Sequence, residues 1–151
     1  FLQPHWTSMT TIEHAETDGQ IAATFAVMQQ LRPHLEQRRY VPMIRSLMAS
    51  DGLRVLALAD EGAVRAVAAY RVMNMLYCGR LLYIDDLVSD GQSRSRGHGA
   101  QLISALRRIG RELGCSEIQL ISRTTREQAH RFYFREGFEI ECFHFRTKLE
   151  V

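Results

Sequence analysis

The amino-acid sequence predicts an α+β fold: a mixed, mostly antiparallel sheet of six to seven strands, flanked by about four helices. Three apolar segments follow one another between residues 54 and 89 with short turns between them, which is typical of antiparallel strands. Segments with helical periodicity precede and follow this run. The expected element order is β, α, α, β, β, β, α, β, α, β.

The first third of the chain predicts one strand and two helices. Residues 10–18 alternate loosely between polar and apolar, and helices are expected over 19–31 and 40–50. Asp18 is a suitable N-cap for the first helix. Pro33 ends that helix, because proline lacks the N–H that a helix interior requires.

The central strands are expected over 54–60, 63–77 and 80–89. Asp60-Glu61-Gly62 is a good hairpin connector between the first two. The next helix is marked by apolar residues at spacings of four, three and four, followed by a glycine that can end it: Leu102, Leu106, Ile109 and Leu113, then Gly114.

The last third predicts a strand, a helix and a final strand over 117–122, 125–137 and 138–149. The strand at 117–122 is expected to run parallel to 80–89, because a helix connects them.

Composition limits the classes of protein. A chain of 151 residues, 46% of them hydrophobic, is long enough for one core, and we expect a single domain over 9–151 with 1–8 as an extension or a non-native remnant. A formal net charge of +2 is too mild to indicate a nucleic-acid or membrane partner. The three cysteines show no disulfide framework and the histidines no metal spacing, so a metal-free cytoplasmic protein is expected.

A segment rich in glycine and arginine, "RSRGHGA" (94–100), opens the helix of the central region. A helix N-terminus leaves backbone N–H groups without partners, and its dipole favours negative charge. Glycines expose those groups and arginines add positive charge, so the segment predicts a diphosphate site. It matches neither the Walker A motif nor the dinucleotide fingerprint.

The segment 94–99 resembles the Q/R-x-x-G-x-G/A signature of the GCN5-related N-acetyltransferase (GNAT) superfamily. Downstream, "AHRFYFREGF" (129–138) is similar to the A-x-x-F-Y-x-x-x-G-F segment of the same family. One helix and one strand separate the two motifs, and the resemblance in element order extends over residues 10–149. It implies the GNAT-like form of the predicted fold and an acetyl-CoA-dependent N-acetyltransferase, which acts by direct transfer in a ternary complex.

The resemblance also implies roles for individual residues. Tyr133 matches the general-acid tyrosine, and the acidic pair Asp85 and Asp86 matches residues that bind or deprotonate the amine in polyamine and related small-amine acetyltransferases. As neighbours in a strand, these two carboxylates are expected on opposite faces. The resemblance implies three groups of residues that hold acetyl-CoA. Leu87 and Val88 contribute backbone N–H groups, and Ala129 and Tyr133 lie downstream. In the turn, where His98 acts through its backbone N–H rather than its ring, the residues are Arg94, Ser95, Arg96, Gly97, His98, Gly99 and Ala100.

The acceptor stays open at this stage. The connector 32–40 is basic, which fits either a solvated loop or an acceptor with a carboxylate or phosphate beside its amine, whereas the acidic pair favours polyamines. Two other functions are retained as alternatives: a non-catalytic acyl-CoA sensor or interaction module, and an acyltransferase that uses another acyl-CoA. The C-terminal segment is apolar enough to allow a homodimer.

Overall fold

The computed structural model describes residues 9–150, apart from the side chain of Ser95. The chain divides into two compact units, one ending at Gln119 and the other beginning at Leu120. The expectation that 1–8 form an extension falls outside the described residues, and the single domain over 9–151 stays a prediction.

Apart from one additional helix in the first third of the chain, the helices and strands follow the predicted order as far as the last helix. They are β1 (Thr10–His14), α1 (Asp18–Ala23), α2 (Phe25–Leu31), α3 (Gln37–Asp51), β2 (Arg54–Asp60), β3 (Ala63–Met75), β4 (Gly79–Ser89), a 3₁₀ turn (Arg94–Arg96), α4 (His98–Glu112), β5 (Glu117–Leu120) and α5 (Glu127–Arg135).

The sheet has the order β1-β2-β3-β4-β5. The pairings β1–β2, β2–β3 and β3–β4 are antiparallel. The predicted α+β class with a mostly antiparallel sheet is therefore confirmed. The predicted number of strands is wrong, since the described residues form five strands rather than six or seven.

The missing strand is the one expected over 138–149, where the chain has no regular secondary structure. Its alternating apolar residues, among them Ile140, Phe143 and Phe145, are exposed. A strand is stabilised by hydrogen bonds to a neighbour and by burial of one face. Alternation of polar and apolar residues predicts which face of a strand would be buried, but it does not predict a neighbouring strand to pair with. The prediction was wrong here for that reason.

The predicted helix 19–31 is two helices, α1 and α2, which meet at Thr24. The buried Thr24 hydroxyl donates to the carbonyl oxygen of Ile21 at 2.7 Å and accepts from the hydroxyl of Tyr40 at 2.7 Å. Such local side-chain bonding competes with the helical pattern. The N-cap is Thr17 rather than Asp18, with a capping box that Gln20 completes.

Helices α1 to α3 and the sheet enclose one core. Phe25, Met28 and Tyr40 pack there against Val67 and Ala69 of β3. Helix α4 packs against β2, β3 and β4 through a separate apolar stripe: Leu102, Ile103, Leu106 and Ile109. Within residues 9–150 no helix has both the length and the apolar character that crossing a bilayer requires.

Candidate functional site

A β-bulge lies at the acidic pair of β4. Ala69 of β3 pairs with Asp86, and Tyr70 pairs with Ile84, so Asp85 is the extra residue in the ladder. Both Asp85 and Asp86 line the same cavity. The expectation that they point to opposite faces is wrong, because the bulge interrupts the alternation on which it was based.

Each carboxylate of this pair faces a guanidinium. Arg71 donates to Asp85 through two nitrogens, Nε at 3.1 Å from Oδ1 and Nη2 closer still to Oδ2. Arg32 Nε lies 2.7 Å from Asp86 Oδ1. The Asp85 and Asp86 side chains are only 19% and 21% exposed. The acidic pair is therefore compensated in charge before any acceptor binds.

A cavity of about 350 Å³ opens between α2, α3 and the bulge. Its size is at the lower end of the range for small-molecule sites. Apolar side chains from both helices cover most of it, and Arg32 lies beside the acidic pair. The lining residues are Met28, Arg32, His34, Leu35, Tyr40, Met43, Ile44, Leu47, Leu53, Ala69, Asp85 and Asp86.

Two tyrosines near this cavity keep their protons at neutral pH. Burial raises the pKa of Tyr40 above its ordinary value, against the opposing effect of its hydrogen bond with Thr24. Burial and then the charge of Asp85 raise the pKa of Tyr83. Both phenols are therefore hydrogen-bond donors rather than bases.

The glycine–arginine segment forms the N-terminus of α4. Gly97 has φ of 75° and is the N-cap, and within the described residues no side chain caps this end. The first helical bond runs from the Gln101 N–H to the Gly97 carbonyl oxygen at 3.1 Å. The N–H groups of His98, Gly99 and Ala100 precede that bond and have no acceptor within the helix, so they are able to donate to an anion.

Arg94 and Arg96 flank these amides with exposed side chains. Neither makes an ion pair with a carboxylate in the part of the chain that the structure describes. Open amides at a helix dipole, together with two uncompensated guanidinium groups, suit a diphosphate. The residues present therefore fit the diphosphate of a coenzyme A thioester.

The imidazole of His98 lies beneath this turn. The side chain is only 4% exposed, and its Nε2 is 3.6 Å from Oδ2 of Asp60 at the end of β2. Its buried Nδ1 has no hydrogen-bond partner among the described residues. The sequence-based expectation concerned only the backbone N–H of His98. The structure shows that its side chain is also buried, under the turn.

The loop between β4 and the 3₁₀ turn is fixed by Asp90. Its carboxylate accepts from Gln30 Nε2 at 3.0 Å and from Arg65 Nη1 at 3.1 Å. Gln30 also accepts from the Gly91 N–H at 2.8 Å. The hydrogen bond from Gln30, a backbone bond from Gln92 and the charge of Arg65 lower the pKa of Asp90. These contacts hold the loop that leads into the 3₁₀ turn and α4.

Leu87 and Val88 pair with Ala68 and Val67 along the β3 side of β4. Val88 is buried in the core, whereas Leu87 is half-buried. The role of their backbone N–H groups in holding acetyl-CoA, which the family resemblance implies, stays a prediction.

Tyr133 and Ala129 lie on α5, in the unit that begins at Leu120. Tyr133 contacts Phe132 and Phe138 edge-on, with ring centroids 5.4 and 5.7 Å away. Burial raises the pKa of the Tyr133 phenol, and the charge of Arg126 opposes that shift. The phenol is therefore protonated at neutral pH, as a general acid must be.

Two further residues of this region were not predicted from the sequence. Arg71 is a charged residue in the middle of an apolar strand, and Asp90 directly follows β4. A charge inside a strand costs free energy unless it is paired, so Arg71 could have been matched to the acidic pair. The partners of Asp90 lie on α2 and β3, far away in the chain, so no pattern in the sequence around Asp90 predicts these contacts.

The model of the acetyltransferase (GNAT) family matches residues 20–138 of the chain. An uncharacterized N-acetyltransferase of Bacillus subtilis, YhdJ, is 30% identical over 126 residues, which cover 83% of this chain and 89% of the relative. The aminoalkylphosphonate N-acetyltransferase of Salmonella typhimurium is 22% identical over 91% of this chain and 90% of its own length.

Among solved structures, the aminoglycoside N-acetyltransferase AAC(6')-Iy in complex with CoA superposes with a TM-score of 0.83 at 20% identity. The alignment covers 97% of this chain and 99% of that one. AAC(6')-Ih from Acinetobacter baumannii gives a TM-score of 0.76 at 13% identity, with coverages of 94% and 100%. At these identities the likeness shows a shared fold.

Proposed function

The chain belongs to the acetyltransferase (GNAT) family, and we propose that it moves an acetyl group from acetyl-CoA to a primary amine by direct attack in a ternary complex. The observation that carries the proposal is the open N-terminus of α4, flanked by Arg94 and Arg96. The names of the relatives support an amine acceptor, since both are N-acetyltransferases.

The donor side is assigned to the turn before α4. The N–H groups of His98, Gly99 and Ala100 bind the diphosphate oxygens, and the two arginines add charge-assisted hydrogen bonds. Acetyl-CoA supplies an activated acyl group as a thioester. Backbone N–H groups at Leu87 or Val88 stabilise its carbonyl oxygen as negative charge develops there.

The transfer requires two proton movements. The neutral amine nitrogen forms a bond to the acetyl carbon while the carbon–sulfur bond breaks. The nitrogen gives up one proton, to Asp85 or Asp86 directly or through a water, and the aspartate then releases that proton to solvent. The Tyr133 hydroxyl donates a proton to the departing sulfur and regains one from solvent. The products are the N-acetylated amine and coenzyme A.

The alternatives use the same fold differently. A non-catalytic acyl-CoA sensor needs the turn before α4 but neither the acidic pair nor Tyr133. An acyltransferase with another acyl-CoA keeps all three and differs only in the acyl pocket. The bidentate Arg71–Asp85 contact at a β-bulge favours an enzyme over a sensor, because such irregularities are frequent beside active sites.

The proposal is tested by following thiol release from acetyl-CoA with a panel of primary amines. Each amine is paired with its N,N-dimethyl analogue, which binds similarly but cannot form a stable amide. We expect thiol release and an acetylated product with at least one primary amine and none with its analogue. Acetyl-CoA binding by calorimetry without release for any amine would instead support the sensor.

A further inference from the structure

The cavity beside the bulge carries no excess of negative charge. Asp85 and Asp86 are its two carboxylates, and each is compensated by an arginine, Arg71 and Arg32 respectively. Bringing a second or third ammonium group into such a cavity removes its hydration without supplying a counter-charge. The electrostatics therefore oppose a polycationic acceptor.

The remaining walls of the cavity suit an apolar body. Met28, Ile44 and Leu47 reach into it from α2 and α3, and the half-exposed Met43 lies at its rim. Methionine side chains adapt to ligands of irregular shape. At about 30 Å³ per water-sized group, about 350 Å³ holds about a dozen such groups. That is enough for one ring with a short aminoalkyl chain.

We propose that the acceptor is a monoamine with an apolar, single-ring-sized body, rather than a polyamine or an aminoglycoside. The inference rests on the proposed function and specifies its acceptor. The apolar body packs against the helix walls, while the nitrogen lies at the Asp85–Asp86 end. Burial there favours the neutral amine, which is the form that attacks an acyl group.

With such an acceptor, this chain would differ in substrate from the aminoglycoside enzymes whose fold it shares. A common fold does not transfer an acceptor, because specificity depends on the side chains of the site. In this chain the basic connector 32–40 contributes Arg32 to the cavity, where it compensates Asp86. Arg38 and Arg39 instead pair with the exposed Glu36.

The test compares kcat/KM for 2-phenylethylamine, spermidine and kanamycin with saturating acetyl-CoA. We expect the monoamine to be preferred over both polycations by at least about tenfold, the factor that corresponds to 1.4 kcal/mol. A preference for spermidine or kanamycin would overturn the inference and leave the proposed function intact. If neither these three amines nor any other primary amine caused thiol release, both the inference and the proposed function would be overturned.

A matched pair of variants at Met43 tests the charge argument. Met43 is 44% exposed, so a polar side chain of similar size is tolerated there. Met43→Glu adds an uncompensated carboxylate and should shift the preference toward spermidine by about two- to fivefold, the upper part of the range for an exposed ion pair. Met43→Gln has the same shape without the charge and should keep the wild-type order. An equal shift in both variants would overturn the inference.

Discussion

The chemistry of the proposed reaction depends most directly on single side chains, and Tyr133 is the one with the most specific assignment. Its ring packs edge-on against Phe132 and Phe138. Burial raises its pKa, so the proton is present throughout the neutral range. A group that donates this proton in the transition state contributes to kcat rather than to binding.

Tyr133→Phe removes only the hydroxyl and keeps the ring contacts. We expect kcat to fall by about a hundredfold, a typical contribution of a general acid. The dissociation constant of acetyl-CoA should stay unchanged when measured by calorimetry. Tyr77→Phe is the matched control, because Tyr77 lies in the turn between β3 and β4 and bonds Gln119. Equal turnover of wild type and Tyr133→Phe would remove this residue from the mechanism.

The acidic pair shows what a sequence can and cannot predict at the scale of residues. Two aspartates inside a strand are unexpected, and that alone marks Asp85 and Asp86 as candidates. Their orientation depends on a bulge that forms when β4 pairs with Ala69 and Tyr70 of β3, which lie earlier in the chain. Pairing register is a property of two strands, so neither strand encodes it alone.

At the scale of elements, the turn before α4 depends on the left-handed backbone of Gly97. Its φ of 75° is unfavourable for residues with a Cβ, although a Cβ there would meet no atom within 4 Å. The requirement for glycine is thus conformational rather than steric.

Gly97→Ala should lower the free energy of unfolding by about 1 kcal/mol, the lower end of the cost of a left-handed alanine. Gly97→Asn should cost less, because asparagine tolerates that conformation better. Gly19→Ala is the control: Gly19 lies in α1 with open space around it, so alanine there should be neutral or stabilising. Urea denaturation of the three variants measures the differences. An equal effect at both glycines would contradict the role of φ.

The loop that leads into this turn gives a pH-dependent prediction. Hydrogen bonds from Gln30 and Gln92 and the charge of Arg65 lower the pKa of Asp90 in the folded state. The ionised carboxylate therefore stabilises the fold above its unfolded pKa of about 3.9, and the stabilisation is lost as pH falls below that value.

Asp90→Asn should reduce the free energy of unfolding by about 1 kcal/mol at pH 7, the usual contribution of a hydrogen bond. The difference from wild type should shrink as the pH is lowered below about 4. Asp18→Asn is the control, because the Asp18 side chain is 75% exposed in its pair with Arg45 and should matter little. Urea titrations between pH 7 and pH 3.5 provide the measurement. A difference that is constant with pH would contradict the argument.

The elements themselves were predicted where local patterns are sufficient. The β2–β3 hairpin, the apolar stripe of α4 and its end at Gly114 follow from turn residues and periodicity. The break at Thr24 depends on the hydroxyl of Tyr40, sixteen residues away. The segment 138–149 has a strand pattern without a strand. In both cases the deciding contact is non-local.

At the scale of the whole molecule, net charge and local charge make different predictions for coenzyme binding. The formal net charge is only +2, which gives weak long-range attraction for an anionic ligand. At physiological salt the Debye length is about 8 Å. Arg108, ten residues into α4 from His98, lies about 15 Å further along the helix at 1.5 Å per residue. Only charges at the turn should therefore act on the diphosphate.

Coenzyme A that binds the folded state stabilises the whole chain by mass action, by about 2.7 kcal/mol at a hundred times its dissociation constant. For a chain of this size that raises Tm by about 5 to 10 °C. Replacing Arg94 and Arg96 together by Gln removes two positive charges and should abolish most of the shift. Replacing Arg108 and Arg111 by Gln changes the net charge equally, from +2 to zero, at exposed positions of the same helix.

We expect the second pair of substitutions to retain the wild-type shift in Tm. The result should be the same with coenzyme A and with acetyl-CoA, because the arginines of the turn bind the diphosphate and not the acetyl group. Differential scanning calorimetry at 150 mM salt measures all four combinations of variant and ligand. If both double variants lost the shift equally, binding would depend on net charge. If neither lost it, the diphosphate would be held by backbone N–H groups alone, and the arginines of the turn would have no part in binding.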